Sequence, residues 1–142
     1  MDAVELNERI SRLYSDHPRG MSLLGDSIFA KGEEGVLLCL HQGGRDLLSG
    51  ELVDYTGLTT GRISNILRRL EEKELVKRLP DGGDRRRVVV HLTEQGRAEA
   101  ETLYQRSLKR SGELMRFLGE SDGGEAIRLL ERCLSYIEAN YC

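Results

Sequence analysis

Two apolar periodicities meet in the stretch from Leu48 to Thr93, and their order allows few folds. Ile63, Ile66, Leu67 and Leu70 recur at i, i+3, i+4 and i+7, the mark of a helix with one buried face. Leu75–Leu79 and Val88–Leu92 then alternate residue by residue, which predicts two short antiparallel strands. The segment between them, Asp81-Gly82-Gly83-Asp84-Arg85-Arg86-Arg87, is too long for a two-residue turn, and its glycines let it project. Ahead of this pair, Ser49 is expected to cap a helix over Gly50 to Thr56, and Gly57 turns the chain. Thr59 is expected to cap the helix that runs to about Lys73. A short helix, a turn, a longer helix and a hairpin with an arginine-rich tip suit a duplex. The second helix fits a major groove while the tip reaches the neighbouring minor groove.

The flanks read as helices. Leu6, Ile10, Leu13 and Tyr14 place a first helix over about Asp2 to Tyr14, interrupted at His17-Pro18-Arg19-Gly20. Leu23, Leu24 and Ile28 suggest another short helical piece. Glu33 to His41 is a very apolar helix stopped by Gly43-Gly44. After the hairpin, Thr93 caps a long helix to about Leu118, Ser121-Asp122-Gly123-Gly124 breaks it, and a last helix carries Ile127, Leu130, Cys133, Leu134, Ile137 and Tyr141. The expected fold is mainly α with a small β-hairpin. It divides into N-terminal helices over 1–32, a DNA-binding lobe over 33–95 and C-terminal dimerisation helices over 96–142. The terminal stripes need a partner surface, and a second copy of the chain is the simplest supplier.

Charge speaks partly against nucleic acid. The chain of 142 residues carries a net charge of −3, and its pI is about 5.7. From Arg45 to Arg97, however, there are 11 basic and 9 acidic residues, against 10 and 15 elsewhere. Three widely spaced cysteines, Cys39, Cys133 and Cys142, form neither a disulfide framework nor a zinc pattern. No nucleophile–base arrangement, phosphate-cradling glycine loop, metal cluster or cofactor motif is visible, so enzyme activity is the least expected class. No apolar run approaches a membrane span, and the acidic, amphipathic N-terminus is unlike an export signal, so a cytoplasmic location is expected.

Four segments in order are similar to one family. They are Gly50 to Thr59, then Ile63-Ser64-Asn65-Ile66-Leu67-Arg68-Arg69-Leu70-Glu71-Glu72-Lys73-Glu74-Leu75-Val76, then Asp84-Arg85-Arg86-Arg87, and His91-Leu92-Thr93-Glu94-Gln95-Gly96. Together they resemble the MarR family of bacterial winged-helix transcriptional regulators. The resemblance implies a winged helix-turn-helix lobe, a triangular homodimer formed through the terminal helices, and a pseudo-palindromic operator, most often repressed. It also implies regulation, often by small aromatic effectors seated between the dimer helices and the lobe. The first helix, short and broken near Pro18, departs from the family pattern.

The residues expected to meet double-stranded DNA are Thr59, Thr60, Gly61, Arg62, Ser64, Asn65 and Arg68 on the second helix, and Asp84, Arg85, Arg86 and Arg87 in the wing. Hydroxyls at a helix N-terminus suit phosphate oxygens. Asn65 can pair with adenine, and Arg62 or Arg68 with guanine. The family pattern assigns Arg86 to the minor groove and gives Asp84 the task of holding it by an ion pair. Candidate effector residues are Tyr14, His17, Phe29 and Cys39. The alternative is a winged-helix module that binds a protein rather than DNA.

Overall fold

A computed structural model describes residues 1–142 except Arg85, and all their side chains except those of Ser27 and Ile28. The elements run α1 (Ala3–Asp16), α2 (Pro18–Ile28), α3 (Gly32–Gly43), β1 (Leu47–Leu48), α4 (Ser49–Thr56), α5 (Thr60–Glu72), β2 (Val76–Pro80), β3 (Val88–Leu92) and α6 (Glu94–Tyr141). The chain divides into two compact units, Met1–Ser107 and Leu108–Cys142. No described helix is long and apolar enough to cross a membrane.

Within the first unit, α3, α4 and α5 close on a three-stranded antiparallel sheet of order β1-β3-β2. The hairpin register pairs Val76 with Leu92 and Pro80 with Val88, and Leu47 of β1 pairs with Val90. The predicted hairpin thus gains a third strand. At two residues, β1 is too short to show alternation in sequence. Ile63, Ile66, Leu67 and Leu70 are all buried as their spacing requires, against Val36, Leu37, Leu40, Leu52, Val76 and Val90. The start of α6 joins this core through Ala100 and Leu103.

Local chemistry explains most of the boundaries. Asp2 and Glu5 form a reciprocal capping box at the start of α1. The predicted interruption at Pro18 narrows to His17 alone. Proline occupies the first turn of α2, where its missing amide costs nothing. Gly44 and Gly57 end α3 and α4 in the left-handed conformation, with φ of 61° and 67°.

Two boundary expectations are corrected. Ser49 is not the cap of α4: the helix begins at Ser49, and the Glu51 carboxylate instead accepts the Leu48 amide at 2.8 Å. The break in the C-terminal region falls at Gly119 (φ 78°, ψ 173°), not at Ser121–Gly124. Gly119 alone adopts the conformation that interrupts the helix. Ser121 and Asp122 then fall in the turn that restarts it, where such residues suit free amides and the positive end of the helix dipole. Gly123 is buried, and a side chain there would meet the Met115 sulfur at 3.7 Å.

Candidate nucleic-acid interface

The sequence places polar residues opposite the apolar stripe of α5, and the fold leaves them outside. Thr59, Thr60, Gly61, Arg62, Ser64, Asn65 and Arg68 are all exposed, while the stripe beneath them is buried. Thr59 caps the helix as expected, its hydroxyl accepting the Arg62 amide at 3.3 Å. Space above Gly61 is open, so another backbone can approach there. Arg62 and Asn65 have no side-chain partner among the described residues. Arg68 lies 3.2 Å from Glu72 one turn on, an exposed pair of the kind that contributes little and exchanges readily. Arg69 points the other way, toward Glu33 of α3 at 3.5 Å, and Lys73 reaches the same carboxylate at 2.6 Å. Glu33 is therefore a tie between α3 and α5 rather than a solvated helix end.

The wing is organised by Asp84, in a different way from the expected one. Its carboxylate accepts the backbone amide of Arg86 at 2.9 Å, and its carbonyl accepts the Arg87 amide at 3.0 Å. No ion pair joins Asp84 to the Arg86 side chain. An aspartate two residues before an amide forms such a turn readily, because the geometry is local. The exposed Arg86 guanidinium is left free by this turn. Arg87 returns toward Asp81, with Nε 3.9 Å from its carboxylate. Arg85 lies outside the described residues, so the structure does not place it.

Three contacts fix the wing relative to α5. Arg78 of β2 donates to the Glu71 carboxylate of α5. Between these elements the chain turns through Glu74, which holds φ of 60°, an uncommon value for a residue with a side chain. Thr93 locks that corner: its hydroxyl donates to the Glu74 carbonyl at 2.6 Å, and its amide donates to the Leu75 carbonyl at 3.1 Å. Gly96 passes so close that a Cβ placed on it would lie 1.8 Å from the Leu75 carbonyl oxygen. The Thr93-x-x-Gly96 spacing is thus a clamp on the α5–β2 corner. Sequence reasoning used these residues as a family mark and a helix cap, without seeing the clamp.

Arg45 and Glu51 were also missed. The Arg45 guanidinium donates to both Glu51 oxygens, at 2.8 and 3.2 Å. This pairing and the Leu48 amide hold the Glu51 carboxyl far below its ordinary 4.5, at about 2. The contact fixes the start of α4, the helix before α5. The available signal was a glutamate in the first turn of a predicted helix.

The effector candidates fare unevenly. Tyr14, His17 and Phe29 are exposed in the single chain. Cys39 packs against the lobe core, and burial pushes its thiol pKa up, which suits a packing residue. Among the described residues, no group of three or more His, Cys, Asp or Glu is placed to hold a metal.

Known proteins match this geometry. A model described as the MarR family matches residues 35–87. The HTH-type transcriptional repressor NicR of Pseudomonas putida is 34% identical over 95 residues, covering 67% of this chain and 58% of that protein. The chain therefore spans less than two thirds of that relative's length. A crystal structure of a mutant MarR from E. coli complexed with operator DNA is similar with a TM-score of 0.71 and 25% identity, covering 94% of this chain and 99% of that one. BpsR of Bordetella bronchiseptica, in a structure concerned with regulation of its DNA binding by 6-hydroxynicotinic acid, shares the fold at TM-score 0.66 and 20% identity, covering 91% of this chain and 98% of that one. The four sequence segments, the lobe they build and these likenesses agree: the chain belongs to the MarR family of winged helix-turn-helix transcriptional regulators.

Proposed function

We propose that the protein is a cytoplasmic repressor that binds a pseudo-palindromic operator as a homodimer and is released by a small effector. The observation that carries DNA contact is the uninterrupted exposed polar face of α5, from Thr59 to Arg68, beside a wing whose Arg86 has no acidic partner among the described residues. Thr59 and Thr60 would take phosphate oxygens at the start of α5. Arg62, Ser64, Asn65 and Arg68 would meet base edges, with Gly61 allowing close approach. Arg86 would enter the minor groove, and Arg87 would neutralise phosphate, as would Arg85.

Self-association is supported by apolar side chains left uncovered in a single chain. In α1 these are Leu6, Ile10, Leu13 and Tyr14; in the second unit they are Ile127, Leu130, Leu134 and Ile137. In this reading 33–95 binds DNA while 1–32 and 96–142 supply the dimer contacts. An effector pocket using Tyr14, His17, Phe29 and Cys39 would need the partner copy to cover its exposed members.

A band shift with the chain's own upstream DNA tests the reading. Arg86→Ala is expected to weaken operator binding by about tenfold or more, comparable to losing one good base contact, with the fold intact. The logarithm of affinity should fall linearly and steeply with the logarithm of salt concentration. Unchanged affinity in Arg86→Ala removes the wing role. A flat salt response would favour a winged-helix module that binds protein.

A further inference from the structure

The lobe carries a cavity of about 180 Å³ at the root of the wing, lined by Leu40, His41, Gly44, Arg45, Asp46, His91, Leu92 and Arg97. It lies away from the wing tip. His91 is three residues along β3 from Val88, at roughly 3.3 Å per residue.

Arg97 is the unusual group there. Elsewhere in the lobe, arginines off the proposed DNA face are matched to acids: Arg45 to Glu51, Arg69 to Glu33 and Arg78 to Glu71. Like Arg62 and Arg86, Arg97 has no carboxylate partner among the described residues. One of its terminal nitrogens donates to the Leu92 carbonyl at 3.2 Å and lies 3.4 Å from His91 Nε2. Its other donors have no described acceptor.

The neighbouring charges are already committed. Arg45 is held by Glu51. His91 Nδ1 lies 2.7 Å from the Asp46 carboxylate. A neutral His91 satisfies both contacts, with Nδ1–H donating to Asp46 and Nε2 accepting from Arg97. His41 is fixed by Glu101 at 3.0 Å and by the Tyr104 ring, with centroids 5.4 Å apart.

We propose that this cavity binds a compact aliphatic monocarboxylate through the Arg97 guanidinium, with Leu40 and Leu92 against its hydrocarbon part. A single uncommitted guanidinium specifies one negative charge. Asp46, the acid lining the same cavity, disfavours a polyanion. A cavity near 150 Å³ takes a ligand the size of benzene, so this one suits an acid of roughly six to nine heavy atoms. The site is separate from the operator face, and its occupancy does not require DNA binding.

The test is an amide-resolved NMR titration of the full chain at low chloride, with isovalerate and its neutral isostere isovaleramide as probes. Isovalerate is expected to give saturable shifts centred on Gly44, Asp46, His91 and Arg97, and isovaleramide to bind at least about tenfold more weakly, as loss of a charge-assisted contact requires. Arg97→Gln should abolish the preference for acid over amide, with the ligand-free spectrum retaining its folded dispersion. Asp46→Asn, which leaves the guanidinium in place, should tighten isovalerate binding. Absent or non-saturating shifts, equal binding of acid and amide, shifts centred on another part of the lobe, or no tightening in Asp46→Asn would each overturn the proposal.

Discussion

The lobe and the helical ends solve opposite problems. The buried apolar side chains run from Val36 to Leu103, and α1 has none. In the lobe, three helices and a small sheet cover one another, so each leucine removed from water contributes about 1.5–3 kcal/mol within the chain itself. In α1 and in the second unit, the helices leave many of their leucines, isoleucines and tyrosines facing out. A helix the length of α1 is marginal in water without a surface to pack on. The lobe therefore covers its own apolar surface, while the ends leave theirs open in the single chain.

The sharpest way to break the lobe alone is Gly96→Ala. A methyl group cannot occupy the space in front of the Leu75 carbonyl, so α6 or the α5–β2 corner must move. We expect a loss of about 3 kcal/mol or more in chemical denaturation, together with lost operator binding. Wild-type stability in this variant would show that the clamp is slack.

The matching change in the ends is Leu134→Glu. Leu134 is 55% exposed, so the single chain loses little packing by the change. If this face is an interface, a charge there should raise the dimer dissociation constant by about a hundredfold, near the cost of losing one buried leucine. Sedimentation should show monomer while the lobe's circular dichroism persists. An unchanged mass at low concentration would place self-association elsewhere.

The same division governs what could be read from sequence. Ile63, Ile66, Leu67 and Leu70 announced α5 because their burial is complete and their period is undisturbed. The exposed residues opposite followed by geometry. Gly57, Gly44 and Thr59 were legible because their conformational roles are local. Glu51 escaped because it acts through Arg45, six residues back, and through the Leu48 amide, which lies before the predicted helix. Gly96 escaped because its reason is a carbonyl 21 positions away. The break at Gly119 was misplaced because Ser121 to Gly124 has a turn-like composition, while backbone conformation was decided by one glycine. Asp84 was assigned a side-chain partner, although its reach within the chain favours the amide two residues on.

The smallest expected effect compares two carboxylates, half-buried Glu51 in the lobe and exposed Glu125 in the second unit. Both are held below the ordinary carboxylate range, Glu51 by Arg45 and the Leu48 amide, Glu125 by Arg128. Only Glu51 also accepts a backbone amide at a helix start. A carboxyl whose folded pKa lies below its unfolded one binds fewer protons in the folded state. Stability from it is therefore full above the unfolded value and is lost as pH falls through the folded one. For Glu51 that window runs from about 4.5 down to about 2. The difference in melting temperature between wild type and Glu51→Gln should be constant above the window and shrink within it. Glu125→Gln should give a smaller difference, because Arg128 holds that carboxylate without the help of a backbone amide. A Glu51→Gln difference that persists undiminished to the bottom of the window would mean that the side chain acts through packing rather than charge.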